Sequence, residues 1–138
     1  MSKKAIISVF SGENENNEQP ISVTTPGEFY KRNNCYYAIY KETEISGMEG
    51  TTTTLKIGSD KFSILRKGTT STKMEFEKDK KTFSLYNTPY GTLELEINTK
   101  DLQIDMNDDG GKIFAQYELN ISRQSRQLTN IEIEIKIL

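Results

Sequence analysis

The sequence predicts an all-β fold: an antiparallel meander closed into a barrel of about 8–10 strands. Three observations carry that expectation. Apolar and polar residues alternate with a period of two along most of the chain, which gives an extended segment one inner and one outer face. Turn-forming residues interrupt the alternation at short intervals, which suits hairpins rather than long crossovers. No stretch shows a competing helical period. Closure is the usual way for such a meander to remove its edges.

Taken in chain order, the apolar run of "MSKKAIISVF" ends at Ser11-Gly12, and a turn is expected within Glu13 to Asn17. After Asn33-Asn34, Tyr36 and Tyr40 share a face that Glu42 and Glu44 continue. The alternate face, with Cys35, Tyr37 and Ile39, reads as the inner one. Ser46 to Gly50 is a turn, and "TTTT" at 51–54 reads as part of a strand, because threonine favours extended backbone. Beyond Gly58-Ser59-Asp60, "KFSILRKG" sets Phe62, Ile64 and Arg66 against Lys61, Ser63, Leu65 and Lys67. "TKMEFEK" sets Met74 and Phe76 against Lys73, Glu75 and Glu77, as plain core residues. A turn at Lys78 to Lys80 leads to a strand in which Tyr86 lies opposite Phe83 and Leu85. "TLELEIN" places Leu93, Leu95 and Ile97 on one face. "KIFAQYELNIS" does the same with Ile113, Ala115, Tyr117, Leu119 and Ile121, and "NIEIEIKIL" with Ile131, Ile133, Ile135 and Ile137. The intervening "SRQSRQ" is a polar hairpin without the interleaved aromatics of a nucleic-acid surface.

Residues 1–138 make one domain, long enough to bury a core without disulfides or metals. Lys and Arg number 18 against 20 Asp and Glu, so the net charge of −2 exerts no global pull on nucleic acid or an anionic membrane. The single cysteine, Cys35, allows no intramolecular disulfide, which suits a reducing cytoplasm. The basic start is followed by too short an apolar run for a secretion signal, and no stretch approaches a membrane-spanning length. Histidine is absent. That removes histidine acid–base catalysis, Ser-His and Cys-His nucleophile pairs, and mixed histidine sites for zinc or iron.

Two interruptions invite a chemical reading. Thr88-Pro89-Tyr90-Gly91 fits a type I turn, with proline fixing φ at the second position and Gly91 free to take a positive φ. The turn would present Tyr90 at the rim. Asp105-Met106-Asn107-Asp108-Asp109-Gly110 matches the opening of a calcium loop, but Gln116 stands where the closing bidentate glutamate belongs. Its flanks alternate like strands, so Asp109-Gly110-Gly111 reads as a hairpin turn, and no metal or other cofactor is expected.

Arg66 is the residue that stands out. On the Phe62 and Ile64 face it points into the barrel near its end, where an unpaired guanidinium is costly. Two readings stay open. It closes the barrel by pairing with Glu42 or Glu44, or with strand-end carbonyls; or it receives the carboxylate or phosphate of a small ligand. Tyr40, Tyr86 and Tyr117 can add hydroxyls to a polar pocket, with Tyr90 at its rim, or can be half-buried barrel residues. Cys35, with no histidine or clear cationic neighbour, is expected to be inert.

A run of short motifs adds a resemblance. "YKETE" (40–44), "TTLKI" (53–57), "ILRKG" (64–68), "MEF" (74–76), "YNTPYG" (86–91), "INTKDL" (97–102), "DGGKI" (109–113) and "YEL" (117–119) together resemble the YwiB-like family of uncharacterised bacterial β-barrel proteins, from about Gly27 to the C-terminus. The resemblance implies a calycin-type barrel of the lipocalin-like architecture in a cytoplasmic bacterial protein, and it brings no activity or substrate with it. The functional expectation is a non-enzymatic binding module for a small, partly apolar or anionic ligand. Arg66, Tyr40, Glu42, Tyr117, Tyr86 and Tyr90 are its candidate residues. The alternative is an interaction barrel with a filled interior. The expectation includes no nucleic acid and no membrane, and leaves self-association open. Missing histidine and the lack of any nucleophile–base pair weigh against an enzyme.

Overall fold

Among residues 2–13, 21–122 and 125–138, which the computed structural model describes, the alternating segments become ten antiparallel strands. These are β1 (Lys3–Glu13), β2 (Ile21–Arg32), β3 (Cys35–Lys41), β4 (Thr52–Ile57), β5 (Lys61–Lys67), β6 (Ser71–Glu77), β7 (Lys81–Thr88), β8 (Gly91–Asn107), β9 (Gly110–Ile121) and β10 (Ser125–Ile137). One 3-10 turn, Glu44–Ser46, lies between β3 and β4. Each strand pairs with its neighbours in sequence, and β1 closes the barrel on β10, from Ala5 opposite Ile137 to Glu13 opposite Thr129. Closure leaves no full-length edge to template aggregation.

Period two explains the core directly. Ile7, Phe29, Leu55, Phe62, Phe76, Ile113 and Ile133 all point inward and are almost fully buried. Facing residues stack in rows around the barrel. One row runs Tyr36, Ile57, Phe62, Phe76, and the next Ala38, Leu55, Ile64, Met74. Outward positions carry lysines and glutamates, several in ion pairs such as Lys81–Glu96 and Lys112–Glu134.

The turn readings hold where the structure describes them. Asn33 and Asn34 both take positive φ in the β2–β3 hairpin. At Thr88-Pro89-Tyr90-Gly91 the positive φ falls on Gly91 (135°), and the Thr88 hydroxyl both donates to the Gly91 carbonyl and accepts from the Tyr90 amide. The acidic stretch at 105–110 is strand, turn and strand, with the Asp109 amide donating to Asn107 Oδ1 and Asp108 accepting from the Tyr36 hydroxyl. Of the turn expected within Glu13 to Asn17, Glu13 is the last residue of β1 and the rest lies outside the described residues, as does the middle of "SRQSRQ".

Three features depart from the simple alternation. Cys35 is not on the inner face: Tyr36, Ala38 and Tyr40 point inward, and Cys35 is half-exposed. Both faces of "CYYAIYK" are apolar enough to be inner, and the Asn33-Asn34 turn decides by setting buried Phe29 opposite buried Ala38. Next, β3 stops at Lys41, so Glu44 does not continue the Tyr40 face but opens the 3-10 turn, exposed. Last, β8 carries a bulge at Lys100, between Thr99 and Asp101. One extra residue flips the faces, so Leu95, Ile97 and Thr99 point inward before it and Leu102, Ile104 and Met106 after it.

Candidate functional site

The row above Ala38–Leu55–Ile64–Met74 changes character. It runs Tyr40, Thr53, Arg66, Thr72, Tyr86, each opposite the next on β3 to β7. Strand register alone brings these polar side chains together, because each is two residues from an apolar residue of the row beneath. Thr53 and Thr72 are buried, and Thr72 donates to the Leu85 carbonyl at 3.0 Å. That bond helps to hold β6 to β7, whose backbone register is short, from Ser71–Asn87 to Thr72–Tyr86.

Arg66 stands at the centre of the row, half-buried. Its Nη1 lies 3.7 Å from Met74 Sδ, a weak acceptor, and its Nε is sealed from solvent with no acceptor. Among the described residues no carboxylate lies within 4.0 Å of the guanidinium, so the ion pair with Glu42 or Glu44 that one of the two readings offered does not form. Glu42 is nevertheless close enough to feel the charge. Its carboxylate is buried just past the end of β3 and accepts from Thr53 Oγ1 at 3.1 Å. Burial raises its pKa above the ordinary 4.5, while Arg66 and the Thr53 hydroxyl pull the other way without prevailing. Burial likewise raises the Tyr40 hydroxyl, with the Glu42 charge adding to it, and pushes Tyr117 up to about 12 against the opposing field of Arg66. Both tyrosines are therefore neutral at physiological pH.

The folded state thus holds the Glu42 proton more tightly than the unfolded chain does. This group favours the folded state at low pH, and the advantage is lost as the pH rises from 4.5 through the raised folded value. Glu42→Gln, which mimics the neutral acid, is expected to raise the melting temperature at neutral pH. The gain should shrink as the pH drops below the ordinary carboxylate range. Melts of both proteins across that range check it; a variant less stable than wild type at neutral pH would refute the sign.

Two cavities meet at Arg66. An inner chamber of about 150 Å³ is walled by Tyr40, Glu42, Arg66 and Tyr117 on its polar side, and by Val9, Val23, Ile64 and Ile131 elsewhere. A wider mouth of about 650 Å³ opens past Tyr86 and Thr70 to Tyr90 on the rim turn, with Glu44 and Glu49 at its edge. All six residues singled out in the sequence line one or the other: Tyr40, Glu42 and Tyr117 the chamber, Tyr86 and Tyr90 the mouth, and Arg66 both. Tyr90 is 99% exposed, so it adds a rim contact and no enclosed surface. Sequence reasoning missed Met48, which lines both cavities, and Thr53, which orients Glu42. Met48 sits in a stretch that reads only as a turn; Thr53 was legible as the strand residue two before buried Leu55.

This arrangement can bind and orient an anion. It offers one guanidinium, one carboxyl group and neutral hydroxyls, with no activated nucleophile among the described residues. Fold and site together define a small closed antiparallel β-barrel that is packed along most of its length and hollow and polar at one end. The chain belongs to the family described as Domain of unknown function (DUF1934), which it matches over residues 6–135. It is 26% identical over 122 residues to the "Uncharacterized beta-barrel protein YwiB" of Bacillus subtilis (strain 168), covering 88% of this chain and 84% of that protein. The crystal structure of the ywiB protein from Bacillus subtilis has the same fold, with a TM-score of 0.82 at 22% sequence identity, over 99% of this chain and 93% of the other.

Proposed function

We propose that this barrel is a non-enzymatic binding protein that receives a small, partly apolar anion at its Arg66 end. The observation that carries this reading is an inward-facing guanidinium with a sealed, unpartnered Nε at the junction of an apolar-walled chamber and an open mouth. A buried donor left without an acceptor costs about 1–3 kcal/mol, more for a charged group, and an anion placed there offsets that cost. Alternating lysines and glutamates outside support a barrel that faces water rather than lipid, whose outer band would be apolar.

Arg66→Met separates this reading from a structural plug. Breaking a buried ion pair typically costs about 3–5 kcal/mol. With no carboxylate in contact, the apo variant is instead expected to be as stable as wild type or more so. Stabilisation by small carboxylates or phosphates, which raise the wild-type melting temperature by mass action, should vanish. A destabilised apo variant, together with a wild type indifferent to every anion in the panel, overturns the proposal.

The packed lower rows and the exposed Phe83 (74%) and Leu85 (56%) on the outer face of β7 favour a second reading, an interaction barrel. Native mass spectrometry of protein purified from its own host decides between them: a retained small molecule supports the first, a stoichiometric protein partner the second.

A further inference from the structure

We propose that the ligand is a monocarboxylic acid with a body about the size of one benzene ring, and that Glu42 sorts it from dianions such as phosphate monoesters. This rests on the anion-binding reading above and names the class of anion.

Size sets the first limit. The inner chamber measures about 150 Å³. An apolar cavity of roughly that volume holds one benzene molecule. Below it the barrel is closed: Ile64 and Met74 form the adjoining row, and Phe62 and Phe76 fill the next with almost no exposure. A long acyl chain therefore has no path inward. The wall suits an aromatic body, since the Met48 and Met74 thioethers and the Tyr117 ring border the same space and sulfur–aromatic contacts are favourable.

Charge sets the second limit. Among the described residues of the chamber wall, Arg66 is the cation and Glu42 the carboxyl group. Glu42 is faced by Tyr40 on its own side, Thr53 from β4, Arg66 from β5 and Tyr117 from β9, while the described residues that β1, β2 and β10 give to the wall, Val9, Ser11, Val23 and Ile131, carry no charge. With Glu42 ionised, the charges of the described wall residues cancel, and a bound monoanion leaves them with one uncompensated negative charge. One proton on Glu42 restores neutrality and turns that group into a hydrogen-bond donor toward the incoming carboxylate. A dianion leaves a net negative charge even then, and approaches past Glu44 and Glu49 at the mouth. Burying uncompensated charge is expensive, so the site selects the monoanion. Burial already favours the protonated form of Glu42.

The test is isothermal titration of the full chain with benzoate and with phenyl phosphate, on both sides of neutral pH and in two buffers of different ionisation enthalpy. Benzoate is expected to bind one to one, more tightly as the pH falls, with a heat that changes with the buffer because a proton is taken up. Phenyl phosphate should bind at least about tenfold more weakly, on the scale of one charge-assisted interaction. Glu42→Gln should keep benzoate binding and lose both its pH and its buffer dependence; Arg66→Met should weaken it by about ten- to a hundredfold. Phenyl phosphate binding as tightly as benzoate, or benzoate binding without proton uptake, overturns this inference and leaves the anion site standing. Failure of both probes overturns it too, and stabilisation by another anion of the wider panel would still uphold the general reading. Anion binding that survives Arg66→Met unchanged overturns both.

Discussion

Ile133→Asp is expected to leave the chain unfolded. Ile133 is fully buried in β10, between Val9 of β1 and Ile113 of β9, at the pairing that closes the barrel. Losing the branched side chain costs about 2–5 kcal/mol through transfer and cavity terms. Placing a carboxyl group in that space adds several more, whether it ionises unpaired or takes up a proton. The sum reaches the 5–15 kcal/mol that is the whole stability of a typical domain. Circular dichroism should show the loss of the strand signal, and a denaturant melt should show no cooperative transition. Glu94→Lys is the matched control. Glu94 is exposed on the outer face of β8, opposite Leu85 of β7, and its replacement should shift stability by tenths of a kcal/mol, roughly as surface sites do. Similar behaviour in the two variants would overturn the inward and outward assignment on which the core rests.

That assignment was legible because a barrel asks little of a sequence beyond alternation and turns. Ile131, Ile133 and Ile135 could be placed from period two alone, as could Leu95, Ile97 and the Met74–Phe76 pair, and all are buried. The strand β3 resisted, since "CYYAIYK" is apolar on both faces and only tertiary pairing, Phe29 against Ala38, ranks them. The bulge in β8 resisted for a different reason. Leu102, Ile104 and Met106 continue an alternation, but out of phase with Leu95 and Ile97, and the inserted Lys100 carries no local mark such as glycine.

The candidate site was legible in its members and not in its shape. Arg66 announced itself by sharing a face with Phe62 and Ile64, and Tyr40 and Glu42 by sharing one with each other. Their convergence depends on strand register: Tyr40 opposite Thr53 and Thr53 opposite Arg66 follow from two successive hairpins, each set by its turn. A shift of one residue in either hairpin would have turned Arg66 outward. The contact between Arg66 and Glu42 that one of the two readings offered does not form: β3 ends at Lys41, after which Glu42 is held by Thr53 and by the backbone bond of its amide to the Thr51 carbonyl. Strand ends are fixed by loops, and the loop from Glu44 to Gly50 gives no periodic signal to read.

Gly110→Ala is expected to be nearly as damaging as a core substitution, although it adds a single methyl group at a hairpin. Gly110 takes φ 100°, which an L side chain rarely adopts, and is buried where β9 leaves the β8–β9 turn, opposite Lys136 of β10. A Cβ there would overlap the carbonyl oxygen of Ile135 and lie 2.9 Å from its carbon. Ile135 belongs to β10 and pairs with Ile7 of β1, so the strand that would have to yield is the one that closes the barrel. Backbone strain of about 1–3 kcal/mol and a forced backbone shift of about 1–3 kcal/mol combine to several kcal/mol. Gly47→Ala isolates the strain. Gly47 also has a positive φ, 77°, but nothing lies within 4 Å of its Cβ position. Its replacement should cost only about 1–2 kcal/mol, the left-handed penalty, less what alanine recovers by restricting the unfolded chain. Denaturant melts of the two variants measure the difference. Equal losses would mean that the close approach of β9 to β10 plays no part, and that the two glycines after Asp109 serve the turn alone.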